Sequence, residues 1–185
     1  MLLHLKTFFK VITMATSALL LLPGFAAADT DIQLQGLDGK QHELSEFLGK
    51  GKWTLVNIWG PECPPCKEEI PELVLFHEKH MNIDAQVVGI AIDFPSFGYA
   101  KRKAVEKFVD EYLVEFPVLL SDSSISRKLG AGALEGLPTT FMFTPDGRLV
   151  AEQVGAITRE IIENFIDRYE TINGKNQEKP RINKK

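Results

Sequence analysis

The chain of 185 residues is poor in the residues from which structural disulfides, metal sites and haem sites are built. It has two cysteines, and only two prolines separate Cys63 from Cys66. A bridge across so short a loop removes little entropy from the unfolded chain, so it stabilises a fold only slightly. A zinc site usually needs two more Cys or His ligands, for which His77 and His80 are candidates, although solvated helix surface explains them more simply. Covalent haem attachment needs C-x-x-C-H, and Lys67 occupies the histidine position.

The chain also lacks an excess of positive charge. Its 21 Lys and Arg residues are outnumbered by 25 Asp and Glu, which gives a formal net charge of −4. This balance offers no attraction to nucleic acid or to an anionic membrane surface, so neither is expected as a partner. There are no internal repeats. One domain is predicted over residues 29–170, followed by a flexible basic tail over residues 171–185.

A hydrophobic run long enough to span a membrane is missing as well. The first ten residues carry Lys6 and Lys10 and no acid, and the twelve mostly apolar residues VITMATSALLLL follow them. About 20 apolar residues are needed to cross a bilayer. The segment therefore predicts a signal peptide over residues 1–28, cut after the small residues that end at Ala28. The alternative is an uncleaved anchor in the inner membrane. Both interpretations predict export, with the domain in the periplasm.

The two cysteines stand where a strand is predicted to meet a helix. The apolar run WTLVNIWG, residues 53–60, is typical of a strand buried on both faces, and Ile70 and Leu73 begin a helical pattern. Free N–H groups and the helix dipole favour a thiolate at such a helix start. We therefore predict a redox centre in which Cys63 is the exposed nucleophile and Cys66 the shielded, resolving thiol.

The residues around the cysteines indicate the direction of electron flow. Pro64 and Pro65 suit a first helical turn, but they remove two N–H donors that could stabilise a Cys63 thiolate. Glu62, just before the cysteines, is a like charge. A less stabilised reduced form has a lower reduction potential, which predicts a reductant. The opposite direction, a disulfide oxidase or isomerase of secreted proteins, stays open.

Alternating patterns along the rest of the chain predict a mixed α/β scaffold. An early hairpin is expected to turn at Asp38-Gly39, and a late hairpin at residues 145–147. Between and after them we predict further strands and helices: strands at 85–93 and 116–121, and helices at 100–113, within SSISRKLG, and at 158–170. Strands that alternate with helices, followed by an antiparallel hairpin, predict an α/β sandwich around a mixed sheet.

Two segments resemble a known family. LVNIWGPECPPCKEEIPEL and GLPTTFMFTPDGRLV, with the ββα ending, are similar to the TlpA/ResA-like exported thiol–disulfide oxidoreductases of the thioredoxin superfamily. The resemblance implies a thioredoxin-like three-layer sandwich with an N-terminal β-hairpin extension. It also implies that Pro138 is cis and faces the disulfide, with Leu137 and Thr139 beside it at the substrate-binding strand. A cis X-Pro bond is uncommon, and an extended partner segment is expected to pair with this backbone.

The same resemblance assigns roles to residues near the cysteines. It implies that Glu69 tunes the cysteine pKa values and carries a proton, although from the residues alone Glu69 is equally a first-turn charge that suits the helix dipole. Asn57 stands where thioredoxin has a buried Asp, so it cannot accept a proton. Pro71 matches a helix-kinking proline. Glu62 replaces the usual Trp, which puts the family's substrate preference in doubt for this chain.

These features together predict a monomeric, exported reductase of protein disulfides. Its clients would be proteins such as apocytochrome c or copper-site proteins, and the compartment implies a membrane dithiol donor that recharges it. No cofactor and no metal are expected.

Three other classes of protein are alternatives to a reductase. A peroxiredoxin would want Thr where Gly60 stands, and a copper chaperone would want C-x-x-x-C and a histidine beyond His80. A binding module with an inert disulfide is the third. In the segment 94–99, Phe94, Phe97 and Tyr99 either line a docking surface or pack against the sheet.

Overall fold

The computed structural model describes residues 32–177, with side chains for residues 32–173. The predicted signal peptide, residues 1–28, lies outside the described residues, as does the end of the predicted tail, residues 178–185. Within the described range, no helix is both long enough and apolar enough to cross a membrane.

The described residues form seven strands, four α-helices and one 3₁₀ helix. The strands are β1 Gln33–Gly36, β2 Gln41–Glu43, β3 Trp53–Trp59, β4 Ala85–Ala91, β5 Val118–Leu120, β6 Thr139–Phe143 and β7 Leu149–Val154. The helices are α1 Pro64–His80, α2 Arg102–Tyr112, α3 Ile125–Lys128 and α4 Arg159–Gln177, and the 3₁₀ helix is Leu44–Glu46. Every predicted strand and helix is present, and both hairpins turn where the sequence indicated.

All seven strands join one mixed sheet in the order β2-β1-β5-β4-β3-β6-β7. The centre is parallel, because α1 carries the chain from β3 back to β4 and α2 carries it from β4 to β5. The hairpins β1–β2 and β6–β7 add antiparallel strands on either side. This arrangement confirms the predicted α/β class with a mixed central sheet and an N-terminal β-hairpin.

Side chains of the central strands alternate between two apolar layers. Trp53, Leu55 and Trp59 of β3 face a cluster that includes apolar residues of α1, α2 and α4. Val56 and Ile58 face the other cluster, which includes apolar residues of the hairpin, the 3₁₀ segment and α3. All seven residues of β3 are buried, as expected for a strand covered on both faces. The three-layer sandwich is therefore confirmed.

The last helix differs from its prediction. It continues to Gln177, past residue 170, where the sequence pattern indicated its end. The Asn173 side chain, in this added part of the helix, donates to the Tyr169 carbonyl four residues earlier at 2.8 Å. The division between domain and flexible tail at residue 170 thus falls inside a helix, and the tail itself stays a prediction.

One arginine ties the N-terminal hairpin to the helical layer. The Arg102 guanidinium, at the start of α2, donates to the carbonyls of Gly36 and Leu37 at 2.8 and 2.9 Å. The Leu37 N–H also donates to the Val118 carbonyl at 3.0 Å, which continues the contact of the hairpin with β5. A forked, charged donor therefore satisfies two carbonyls at the end of β1.

We expect Arg102→Ala to loosen the hairpin. Hydrogen bonds from a charged group contribute about 1.5–3 kcal/mol each when buried, so two bonds from this partly exposed guanidinium predict a loss of about 1–2 kcal/mol in unfolding free energy. Urea denaturation and amide exchange of β1 would measure this effect. Lys103→Ala, one residue further along α2 and exposed, is the control. Equal stabilities for the two variants would contradict the anchoring role.

Candidate active site

The two cysteines form a disulfide at the start of α1. Cys63 is the N-cap of the helix, directly after the turn that follows β3, and its Cα lies 5.3 Å from that of Cys66. The Cys63 N–H donates to the Gly60 carbonyl at 3.1 Å, which closes that turn. Pro64 and Pro65 occupy the first two helical positions, as the sequence predicted. The disulfide is therefore held where a central strand passes into a helix.

The structure corrects the expected exposure of Cys63. In this oxidised form Cys63 is 1 % exposed and Cys66 is fully buried. Both belong to the apolar cluster on the α1 side of the sheet, and the bond between the sulfurs keeps them there. Exposed surface at the helix start comes instead from Glu62, Pro64 and Pro65. The prediction that Cys63 is exposed is therefore wrong for the oxidised state.

A buried carboxyl lies three residues after Cys66 on the same helix. Glu69 is 2 % exposed, and its Oε1 accepts from Asn57 Nδ2 at 2.6 Å and from Thr140 Oγ1 at 3.3 Å. Asn57 Nδ2 also donates to Thr140 Oγ1 at 2.9 Å. Asn57 and Thr140 stand opposite each other in the register of β3 and β6. The carboxyl is thus bound to both strands.

Burial controls the protonation of this carboxyl. Desolvation raises the pKa of Glu69 to about 8, against the opposing hydrogen bonds from Thr140, the Ile157 backbone and Asn57. Glu69 Oε2 and Asn57 Oδ1 have no hydrogen-bond partner among the described residues. Glu69 therefore carries a proton near neutral pH in the oxidised form. The interpretation of Glu69 as a first-turn surface charge is wrong, because the side chain is buried and lies beyond the first turn.

The loop before β6 has the backbone form that the resemblance implied. The Leu137–Pro138 bond is cis. The Pro138 carbonyl accepts from the Gly155 N–H at 2.8 Å, and Thr139 Oγ1 donates to the Gly136 carbonyl at 2.8 Å. The side chain of Thr139 is buried, and its hydroxyl is hydrogen-bonded within the loop. Leu137 is half-buried and packs against both apolar clusters. A contact of these three residues with substrate stays a prediction.

Gly60 is a packing position between the active-site segments. A Cβ atom there would lie 3.0 Å from the Ile92 carbonyl oxygen, 3.1 Å from Phe94 Cβ and 3.5 Å from Leu137 Cδ1. Backbone oxygen and a Cβ atom cannot move aside as a long side chain can. Residue 60 therefore has no room for a larger side chain in this structure.

The aromatic residues of the segment 94–99 were expected either to line a docking surface or to pack against the sheet, and the structure shows both packed and exposed side chains. Phe94 packs against the α1-side cluster and Phe97 against the other, and their ring centroids lie 5.9 Å apart. Tyr99 is 54 % exposed. Packing therefore explains Phe94 and Phe97, and Tyr99 alone presents a large surface. The sequence did not predict the second cis bond, Phe94–Pro95.

The two candidate zinc ligands, His77 and His80, contact a backbone N–H and two carboxylates instead of a metal site. His77 is buried, and its Nδ1 accepts from the Val87 N–H at 3.0 Å, so its assignment to solvated surface is wrong. Desolvation lowers the pKa of His77 and keeps it neutral. The ring nitrogens of His80 contact Asp84 at 2.8 Å and Glu163 at 3.3 Å. No cluster of three metal-ligating side chains occurs within residues 32–177.

Sequence reasoning missed Thr140. It is a polar residue in TTFMF, a strand of which every residue is buried. Asn57 is likewise a polar residue within an apolar strand. Buried polar groups are almost always hydrogen-bonded, so two such residues on separate strands were the available signal of a shared partner.

Comparisons with known proteins agree with this geometry. The model of the AhpC/TSA family matches residues 25–152. The thiol-disulfide oxidoreductase ResA of Bacillus subtilis is 30 % identical over 145 residues, which cover 78 % of this chain and 72 % of that protein. A DsbF homologue from Corynebacterium diphtheriae has a similar fold, with a TM-score of 0.64 and 23 % identity over 75 % of this chain and 84 % of its own. A thioredoxin-family thiol:disulfide interchange protein from Chlorobium tepidum gives a TM-score of 0.65, with 21 % identity over 80 % of this chain and 98 % of its own. The thioredoxin-like fold predicted from the sequence is thereby confirmed.

The raised pKa of Glu69 makes stability depend on pH in a definite direction. The folded chain keeps the Glu69 proton up to about pH 8, whereas the unfolded chain loses it near 4.5. The stabilisation is therefore complete below pH 4.5 and declines as pH rises toward 8, by at most about 1.4 kcal/mol per pH unit. We expect Glu69→Gln to flatten this decline in urea unfolding of the oxidised protein.

The exposed neighbour Glu68 provides the control, since Glu68→Gln removes the same type of group from the helix surface. This variant should keep the wild-type slope. A Glu69→Gln protein with the wild-type pH dependence would show that Glu69 is already ionised in the folded state.

Proposed function

We propose that this chain, which belongs to the AhpC/TSA family and is a thiol–disulfide oxidoreductase, works as an exported reductase of protein disulfides. The observation that carries the direction is the hydrogen bonding at Cys63. Pro64 and Pro65 have no N–H, so among the first three helical residues only Cys66 donates to Cys63 Sγ, at 3.4 Å. A weakly stabilised thiolate makes the dithiol a good electron donor.

The reaction transfers two electrons from the dithiol to a partner disulfide. The Cys63 thiolate attacks one partner sulfur, so that a mixed disulfide forms and the other partner sulfur leaves as a thiolate, which takes a proton from solvent. The Cys66 thiolate then attacks Cys63 Sγ. The Cys63–Cys66 bond forms, the mixed disulfide breaks, and the second partner sulfur leaves as a thiolate.

Glu69 supplies the proton step in this scheme. The Cys66 thiol must lose its proton before it can attack, and Glu69 lies three residues further along the same helix, buried like Cys66. A carboxylate in this position accepts that proton, and the pKa of about 8 explains why the oxidised product keeps it. Asn57 and Thr140 orient the carboxyl, and neither can itself accept a proton from a thiol.

The partner segment is positioned at the cis-proline loop. Within the described residues, the backbone N–H and carbonyl of Leu137 form no backbone–backbone hydrogen bond. Both groups can therefore pair with an extended partner segment. Pro138 and Thr139 shape this loop through the contacts with Gly155 and Gly136.

Export and partners follow from the N-terminal segment and the chemistry. A signal peptide over residues 1–28, or an uncleaved anchor, places the domain in the periplasm. There a monomer reduces client disulfides, with apocytochrome c in cytochrome c biogenesis and copper-site cysteines as fitting clients. A membrane dithiol donor recharges the enzyme. A peroxidase function is not favoured, because position 60 has no room for the threonine of a peroxidatic site.

The reduction potential of the Cys63–Cys66 couple tests the direction. We expect a value near that of thioredoxin, about −270 mV, from equilibration in graded thiol buffers followed by alkylation of free thiols. A value near that of the strong periplasmic oxidant, about −120 mV, would instead support the alternative, a disulfide oxidase or isomerase.

Trapping tests the roles of the two cysteines. A Cys66→Ser variant cannot resolve the mixed disulfide, so it should accumulate a covalent complex with a disulfide-bonded protein such as insulin. Cys63→Ser is the matched control and should trap nothing. Trapping through Cys66 in that control would reverse the assignment of nucleophile and resolving thiol.

A further inference from the structure

An ion pair joins Glu62 and Lys67, the residues on either side of the segment that carries the disulfide. Lys67 Nζ lies 3.5 Å from Glu62 Oε2, and the side chains are 40 % and 69 % exposed. Glu62 directly precedes Cys63, and Lys67 directly follows Cys66. The ion pair therefore joins the two residues that flank the redox pair in the chain.

Lys67 lies on the same face of α1 as Cys63. Its backbone N–H donates to the Cys63 carbonyl at 3.2 Å, so it stands one helical turn after the N-cap. Residues four apart on a helix are neighbours on one face, about 5–6 Å apart at Cβ. Since two prolines remove donors from the same turn, a positive charge on this face of the helix has few hydrogen-bond donors to compete with.

We propose that Glu62 lowers the reactivity of the Cys63 thiolate by holding the Lys67 ammonium in this ion pair. The proposal rests on the proposed function and assigns Glu62 as a positioning residue that acts through Lys67. Without the carboxylate, the flexible lysine side chain is free to turn toward the sulfur. The pair thereby helps to keep the dithiol a strong reductant.

Other charges near the helix start are the same in every variant of the test. Lys107 and Glu111 of α2 line a groove of about 290 Å³ together with Glu62 and Lys67. Glu68 is exposed on α1, and Glu69 is buried. None of these four charges is changed in any variant of the test.

The experiment is a double-mutant cycle on the reduced protein, with Glu62→Gln, Lys67→Gln and the double variant. The rate of Cys63 alkylation by iodoacetamide across pH reports the pKa of the thiol, and equilibration with glutathione reports the redox equilibrium. We expect Glu62→Gln to lower that pKa and to raise alkylation at pH 6 about two- to fivefold. At a pH above the thiol pKa, the glutathione equilibrium should shift toward dithiol by at least that factor, because a thiolate of lower pKa is a weaker nucleophile and alkylation understates the change. A two- to fivefold shift corresponds to about 10–20 mV.

Comparing the Glu62→Gln effect with lysine and with glutamine at position 67 separates two causes. Glu62 either holds the lysine in place or repels the thiolate directly by its own charge. If Glu62 acts through Lys67, the Glu62→Gln effect should fall to less than about half when residue 67 is glutamine. In 1 M KCl the effect should also shrink, because the screening length is about 3 Å. Glu78→Gln, an exposed acid near the other end of α1, is the control for net charge and should change neither readout.

Two results would overturn the proposal. Equal Glu62→Gln effects in both backgrounds would mean that Glu62 acts only through its own charge. No change in pKa or equilibrium would mean that the pair has no influence on the thiolate. The absolute potential and the trapping of the wild-type cysteines test the reductase function separately, so either idea can fail alone.

Discussion

The hydrogen bond from Asn57 to the buried Glu69 carboxyl joins the elements that build the active site. It connects α1, which carries the disulfide, to β3, and Thr140 extends the connection to β6, which begins beside the cis proline. Burying a carboxyl is unfavourable unless it is hydrogen-bonded or neutral, and here it is both. The arrangement therefore links the hydrogen bonding between α1, β3 and β6 to one carboxyl, the group to which the proposed function assigns the proton transfer.

The start of α1 has fewer hydrogen-bond donors for a thiolate than most helix N-termini. A helix N-terminus usually offers several N–H groups to a thiolate, and the two prolines leave Cys66 as the donor. Lys67, one helical turn after Cys63, is paired with Glu62. Both features reduce stabilisation of the reduced nucleophile, and both act on the same atom. A dithiol with a weakly stabilised thiolate is the better electron donor, and this is the physical basis of the proposed reductase direction.

Periodicity was sufficient to predict the α/β sandwich around a mixed sheet, whereas the thioredoxin-like fold was implied by the resemblance. Buried strands such as β3 and amphipathic helices such as α2 have spacings of apolar residues that few other structures satisfy, and the turn residues at Asp38-Gly39 marked the first hairpin. Helix ends were less predictable, as α4 shows, because residues past 170 are compatible with helix whether or not they pack. The exposure of Cys63 could not be predicted, because it depends on which segments fold over the sulfur.

The sequence by itself determined the chemistry: two cysteines with two prolines between them, placed between a strand pattern and a helix pattern, define a redox pair and its neighbours along the chain. Only the tertiary structure decided which distant groups act on that pair. Thr140, Ile157 and Leu137, whose Cδ1 lies beside Gly60, are far from the cysteines in sequence. They approach because β3, β6 and β7 are neighbours in the sheet. The raised pKa of Glu69 arises from that enclosure, since desolvation is a property of the folded surroundings and not of the residue.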